Sequence, residues 1–79
     1  MNRDILSRHF DKRCEQRLGF NLTQAQKGEI INALLGGRLL KARPTCHKHR
    51  ERYYIVINYK WWELVYDSRY EALVTIYEP

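Results

Sequence analysis

The hydrophobic period of this chain changes once, at Arg38, and that change limits its fold more than any other feature. Before it, apolar residues recur at helical spacing: Phe10, Cys14 and Leu18 at i, i+4, i+8, then Ile30, Ile31, Leu34 and Leu35. After it come three runs rich in β-branched and aromatic residues, Tyr53–Ile57, Trp61–Tyr66 and Ala72–Tyr77. The stretches between them, Asn58–Lys60 and Asp67–Glu71, are short enough to be hairpin turns. Helices first and antiparallel strands afterwards make an α+β chain.

Local signals bound the elements. A first helix is expected over Ser7–Gly19, with Asp4 or Ser7 accepting from the free amides of the first turn and Gly19 as a left-handed stop. Thr23 and Gln26 have the spacing of a capping box, so a second helix should begin at about Gln24 and end at Gly36-Gly37, with Gly28 weakening its middle. Arg38–Arg43 alternates imperfectly and stops at Pro44-Thr45, as a short edge strand blunted by cations would. Cys46–Glu51 is polar and aperiodic, and reads as a loop. The expected architecture is one domain, residues 1–79, with two N-terminal helices on one face of a four-stranded antiparallel β-meander. Tyr53, Ile55 and Ile57 should share one sheet face, and Leu73, Thr75 and Tyr77 a face opposite Val74 and Ile76. The sheet face without helices keeps aromatics partly in water, a surface suited to a nucleic-acid base or a protein partner.

Size and composition narrow the function classes. A chain of 79 residues with 44% hydrophobic and 13% aromatic residues is globular. At this size folding buries only about 60% of the unfolded surface, so stability should be modest. No run approaches the roughly 18 apolar residues of a membrane span, and Arg3 and Asp4 precede only two aliphatics, unlike a signal peptide. The expected location is the cytoplasm of a bacterial cell, without a membrane partner. Two cysteines, Cys14 and Cys46, do not form the framework of a small secreted domain, and free thiols are expected.

The net charge of +5 is unevenly held. Residues 1–52 carry 12 Lys/Arg against 5 Asp/Glu, and residues 53–79 carry 2 against 4. A basic front of this kind raises the local concentration of a polyanion before any specific contact forms. Arg38, Lys41, Arg43, His47, Lys48, His49, Arg50 and Arg52 are candidate contacts for nucleic acid or an acidic partner surface. On the first helix His9, Arg13 and Arg17 form a second row, one residue before the apolar stripe and therefore about 100° around from it. A solvated charged face would have the same pattern.

The chemistry these residues can support is limited. Cys46, His47 and His49 carry zinc-ligand groups, but adjacent Cys46 and His47 aim in different directions on an extended backbone, so no metal and no cofactor is expected. No Gly-rich phosphate loop, Ser-His-Asp order or carboxylate pair is present. What remains needs only cations, an imidazole and hydroxyls: metal-independent RNA cleavage, in which a base takes the 2′-hydroxyl proton and Arg or Lys stabilises the phosphorane. His9, His47 or His49 could be the base or acid, and Arg13, Arg17 and Arg43 the charge stabilisers. Tyr and Trp rings could stack bases, although sheet packing is the commoner use of strand aromatics.

Ser7-Arg8-His9 with Arg13 and Arg17, a second helix ending in Gly36-Gly37, and the strands Tyr54–Ile57, Leu64–Asp67 and Leu73–Tyr77 together resemble a small bacterial and phage domain family. That family has a Ser/Thr-Arg-His helix and a closing Val-Thr-x-Tyr strand, and its layout is similar to the RelE/ParE and BrnT toxin group. The resemblance implies action on messenger RNA or on gyrase, a cognate antitoxin among the partners, and importance for His9, Arg13, Arg17, Thr75 and Tyr77. Trp61-Trp62 and the Cys46–Arg50 segment depart from the family's pattern. Two functions stay open. One is a ribonuclease-like toxin domain, acting on RNA rather than DNA. The other is a non-enzymatic phage-type inhibitor that sets its basic rim, the helical arginine row with the Cys46–Arg52 loop, on an acidic surface of a host complex.

Overall fold

Gly19 and Thr23 decide where the first helix stops and the second starts. The computed structural model describes residues 3–79 and contains α1, Arg3–Arg17, and α2, Gln24–Leu35. Gly19 takes φ +86°, a conformation that L side chains rarely adopt, and its amide and that of Leu18 both donate to the Cys14 carbonyl. The capping box closes as its spacing predicts: the Gln26 amide donates to Thr23 Oγ1 at 3.1 Å, and the Thr23 amide to Gln26 Oε1 at 2.8 Å.

α1 starts at Arg3 rather than Ser7. Ser7 and Asp4 are therefore inside the helix, where Asp4 places a negative charge in the first turn, the favourable end of the helix dipole. The earlier start lengthens the apolar stripe to Leu6, Phe10, Cys14 and Leu18, of which the first three are fully buried. Ile30 and Leu34 of α2 join the same core. The helices are also tied by an ion pair between Asp11 and Lys27, whose ammonium is 6.0 Å from the centre of the Phe10 ring.

The four strands are β1, Leu40–Lys41; β2, Arg50–Ile57; β3, Lys60–Asp67; and β4, Ala72–Tyr77. They pair in sequence order, each antiparallel to the next. The β2–β3 hairpin turns on Asn58 and Tyr59, both at positive φ (53° and 65°), the backbone of a type I′ turn that matches strand twist. Tyr53, Ile55, Trp62, Leu64, Tyr66, Leu73 and Ile76 face the helices and form the core with them. No helix among the described residues is long and apolar enough to cross a membrane.

Three expectations need correction. The edge strand is only two residues, since after Ala42 donates to the Arg52 carbonyl at 2.9 Å the chain leaves the sheet. Arg50 and Glu51 belong to β2 rather than to a loop, because charged partners lie beside them: Asp67 for Arg50 and Lys41 for Glu51. Leu73 does not share a face with Thr75 and Tyr77. Val65 pairs with Thr75 and the next residue, Tyr66, with Leu73, so Val74 is an extra residue in β4. That bulge turns Leu73 and Ile76 inward together and leaves Thr75 and Tyr77 on the helix-free face.

The turn gives a stability prediction. Tyr59 is fully exposed and pays the steric cost of a positive φ without packing in return. Tyr59→Gly is expected to raise stability by about 0.5–1 kcal/mol in urea unfolding, and a loss of stability would contradict the type I′ turn.

Candidate active site

α1 lies alongside β4 and runs in the same direction. Arg3 and Ser7 meet Ala72 and Leu73 at one end, and Arg17 meets Tyr77 at the other. Burial of Phe10 and Cys14 turns the next helical face toward the sheet edge, and there His9, Lys12, Arg13 and Gln16 line an open depression of about 440 Å³ with Val74 and Thr75. His9 and Arg13 thus share a site with Thr75, more than sixty residues later in the chain. Arg17 lies a turn further along, its guanidinium carbon 5.6 Å from the centre of the Tyr77 ring. The Arg52 guanidinium carbon is 5.8 Å from the same ring, so β2 also contributes a cation to Tyr77.

The remaining basic candidates divide by whether they are already paired. Lys41 is 3.5 Å from Glu51, Arg43 3.8 Å from Glu63, and Arg50 3.3 Å from Asp67. Arg50 is half-buried and its bond to Asp67 is part of the fold. Arg38, His47, Lys48 and His49 are exposed, and none of them lines the depression that holds His9. His47–His49 sit in a tied connection rather than a free loop. The His47 amide donates to Thr45 Oγ1, and the His49 carbonyl accepts from the Ser68 amide and hydroxyl. Among the described residues no group of three or more His, Cys, Asp or Glu is placed to hold a metal ion.

Lys12, Gln16 and Glu63 were not anticipated from sequence. Lys12 and Gln16 stand three and seven positions after His9, so helical spacing carried the signal for both. Glu63 lies among strand hydrophobics, and its alternation with Trp62 and Leu64 puts it on the helix-free face. It is 2% exposed, stands in register with Tyr54 on one side and Tyr77 on the other, and its Oε2 accepts no hydrogen bond from a described residue. Arg52 Nε is likewise buried and makes no hydrogen bond to a described residue.

Several titrating groups are shifted. Burial would raise the Asp67 carboxyl, but the Tyr70 amide, the Arg50 guanidinium and the Arg69 amide outweigh it and hold Asp67 below the ordinary carboxylate value. The Tyr53 hydroxyl and Lys41 likewise hold Glu51 low against the effect of burial. Burial and the hydrogen bond to Glu51 push Tyr53 up to about 12. Burial, with the nearby Asp11 charge, raises the Cys14 thiol to about 11.

Comparison with family models, curated proteins and solved structures finds no match to the chain.

Two outcomes follow from the shifted groups. A carboxyl depressed in the folded state adds stability above its unfolded pKa, near 4, and loses it as pH falls through the folded value. Melting temperature should therefore fall steeply below about pH 4, and Asp67→Asn should lower it at neutral pH while flattening that acid limb. A parallel offset at all pH values would show that Asp67 acts through packing alone. For the thiols, a maleimide at pH 8 should label exposed Cys46 quickly and buried Cys14 only on unfolding. Equal labelling rates in the native protein would contradict the burial of Cys14.

Proposed function

We propose that the chain acts on RNA at the depression between α1 and β4, as a metal-independent ribonuclease-like domain. The observation that carries this reading is the meeting of His9 and Arg13 with Thr75 in one open, cation-walled depression. A neutral His9 imidazole takes the proton from a ribose 2′-hydroxyl, and that oxygen bonds to phosphorus as the bond to the 5′-oxygen breaks. The products are a 2′,3′-cyclic phosphate and a 5′-hydroxyl, whose proton comes from solvent at the open mouth of the site. Arg13 and Lys12 face the charge that builds on the phosphorane, and Thr75 offers a hydroxyl donor. A layout similar to that of the RelE/ParE and BrnT group, two helices and then an antiparallel meander, is in keeping with the reading.

One observation favours the second reading, an inhibitor without turnover. His9 makes no hydrogen bond or ion pair with another described residue, so none of these holds its imidazole in one tautomer. In that reading the α1 cations and Arg52 occupy an acidic surface of a host complex, and a cognate antitoxin has no role.

Purified protein incubated with RNA in EDTA separates the two. The expected result is cleavage with 2′,3′-cyclic phosphate ends, reduced about 10²–10⁴-fold by His9→Ala. Because His9 is exposed, the melting temperature should scarcely move, a change within about 0.5 kcal/mol. Intact RNA, together with a stoichiometric acidic partner recovered from bacterial lysate and lost on raising salt, would replace the ribonuclease reading with the inhibitor.

A further inference from the structure

On the helix-free sheet face, beyond Glu63, the side chains become apolar and exposed. Trp61 is 57% exposed, although Trp62, beside it in sequence, is in the core. Tyr54 braces Trp61 edge-on, with centroids 6.4 Å apart and planes at 89°. Leu40, Tyr54, Trp61 and Pro79 line a shallow cleft of about 380 Å³.

We infer that Trp61, braced by Tyr54, stacks a base of the single-stranded RNA that occupies the α1–β4 depression, a few nucleotides along the strand from the scissile phosphate. The inference rests on the RNA reading of the α1–β4 depression and names the form of its substrate.

Three observations favour a base over other occupants. The cleft shares a sheet face with Tyr77 and Thr75: Leu40, Tyr54, Glu63 and Tyr77 are successive cross-strand partners in one row, and Arg17 of α1 stands over the Tyr77 ring. Trp61 is four residues along β3 and one strand over from Thr75, about 14 Å, which suits a nucleotide a few steps along the same strand. Cations lie where the backbone of such a strand would pass, with the Arg17 and Arg52 guanidiniums over Tyr77 between the cleft and the depression. Lastly, the patch is small. A specific protein interface uses about 20–30 residues a side, whereas one base covers a ring and its immediate neighbours. Duplex RNA fits less well, because its bases are stacked on each other and offer no free face to Trp61.

The test uses the full chain and a single-stranded RNA of about ten nucleotides, 2′-O-methylated throughout so that it binds without being cleaved. Anisotropy of a fluorophore on the RNA measures affinity for wild type and variants alike, and because Trp62 is buried, quenching of tryptophan emission in the wild type reports Trp61. Trp61→Ala should weaken binding about 5- to 150-fold, the range for one lost base stack, with the melting temperature unchanged, and Trp61→Phe should restore most of the affinity. The same sequence as a duplex should bind more weakly and without dependence on Trp61. Equal affinity of wild type and Trp61→Ala, or no binding by either, overturns the inference. So does a concentration-dependent dimer in sedimentation that Trp61→Ala abolishes, since the cleft would then hold a second copy of the chain. Cleavage of unmodified RNA, measured alongside, keeps the two claims apart. Binding that depends on Trp61 without cleavage removes the ribonuclease reading alone, and cleavage that depends on His9 but not on Trp61 removes the stacking site alone.

Discussion

The packing of the α1 stripe on β4 is the contact from which the rest of the molecule takes its geometry. Leu6, Phe10 and Cys14 are fully buried, and Leu73 and Ile76 of β4 complete the same core. Each buried ring or aliphatic side chain contributes about 1.5–3 kcal/mol, a large share of what a domain of this size can gather. A helix is rigid, so fixing one stripe fixes every other. His9 and Arg13 precede Phe10 and Cys14 by one residue, and once the stripe is seated they can only point along the sheet edge toward Thr75. The core therefore sets the register of the site.

β4 supplies the matching half through its bulge. In a regular strand Leu73, Thr75 and Tyr77 would share a face, and either the core would lose Leu73 or the open face would lose Thr75 and Tyr77. The extra residue, Val74, removes that conflict. Alternation in the sequence gives no sign of it, because a bulge depends on which partner residues end up opposite. The capping box and Gly19 are different. Thr23 with Gln26, and a glycine at the helix end, act through bonds and φ values only a few residues long, and such local signals were legible before any tertiary structure was known. The order of elements, two helices and then four antiparallel strands, was legible for the same reason: period and turn residues act locally.

Charge was legible in amount but not in place. The basic front of the chain meets the acidic back when the sheet forms, setting Arg50 and Arg43 against Asp67 and Glu63, while Lys41 pairs with Glu51 within the front itself. The expectation of a loop over Cys46–Glu51 offers Arg50 as a ligand contact, whereas strand pairing commits Arg50 to holding the turn through Asp67. The positive charge left for a ligand is concentrated on α1, at Lys12, Arg13 and Arg17, with Arg52 reaching in from β2. Two of the sequence candidates, His9 and Arg13, meet Thr75 in the depression, and Arg17 is close by at Tyr77. The exposed His47–His49 segment shared their composition without sharing their position.

Glu63 bears on how an RNA strand would lie on this surface. It is a buried carboxylate in the middle of the helix-free face, with one guanidinium at 3.8 Å and no hydrogen bond to Oε2. Two like charges 4 Å apart repel by about 4 kcal/mol at an effective dielectric near 20, so a phosphate placed over Glu63 would lose much of what Arg43 or Arg52 could offer it. A neutral, polar base incurs no such penalty there. Phosphate is then favoured at the α1 seam, beside Arg13 and Arg17, and bases over the sheet, toward Tyr54 and Trp61. A single acidic residue on an otherwise basic and aromatic face thus gives the proposed substrate a side for its backbone and a side for its bases.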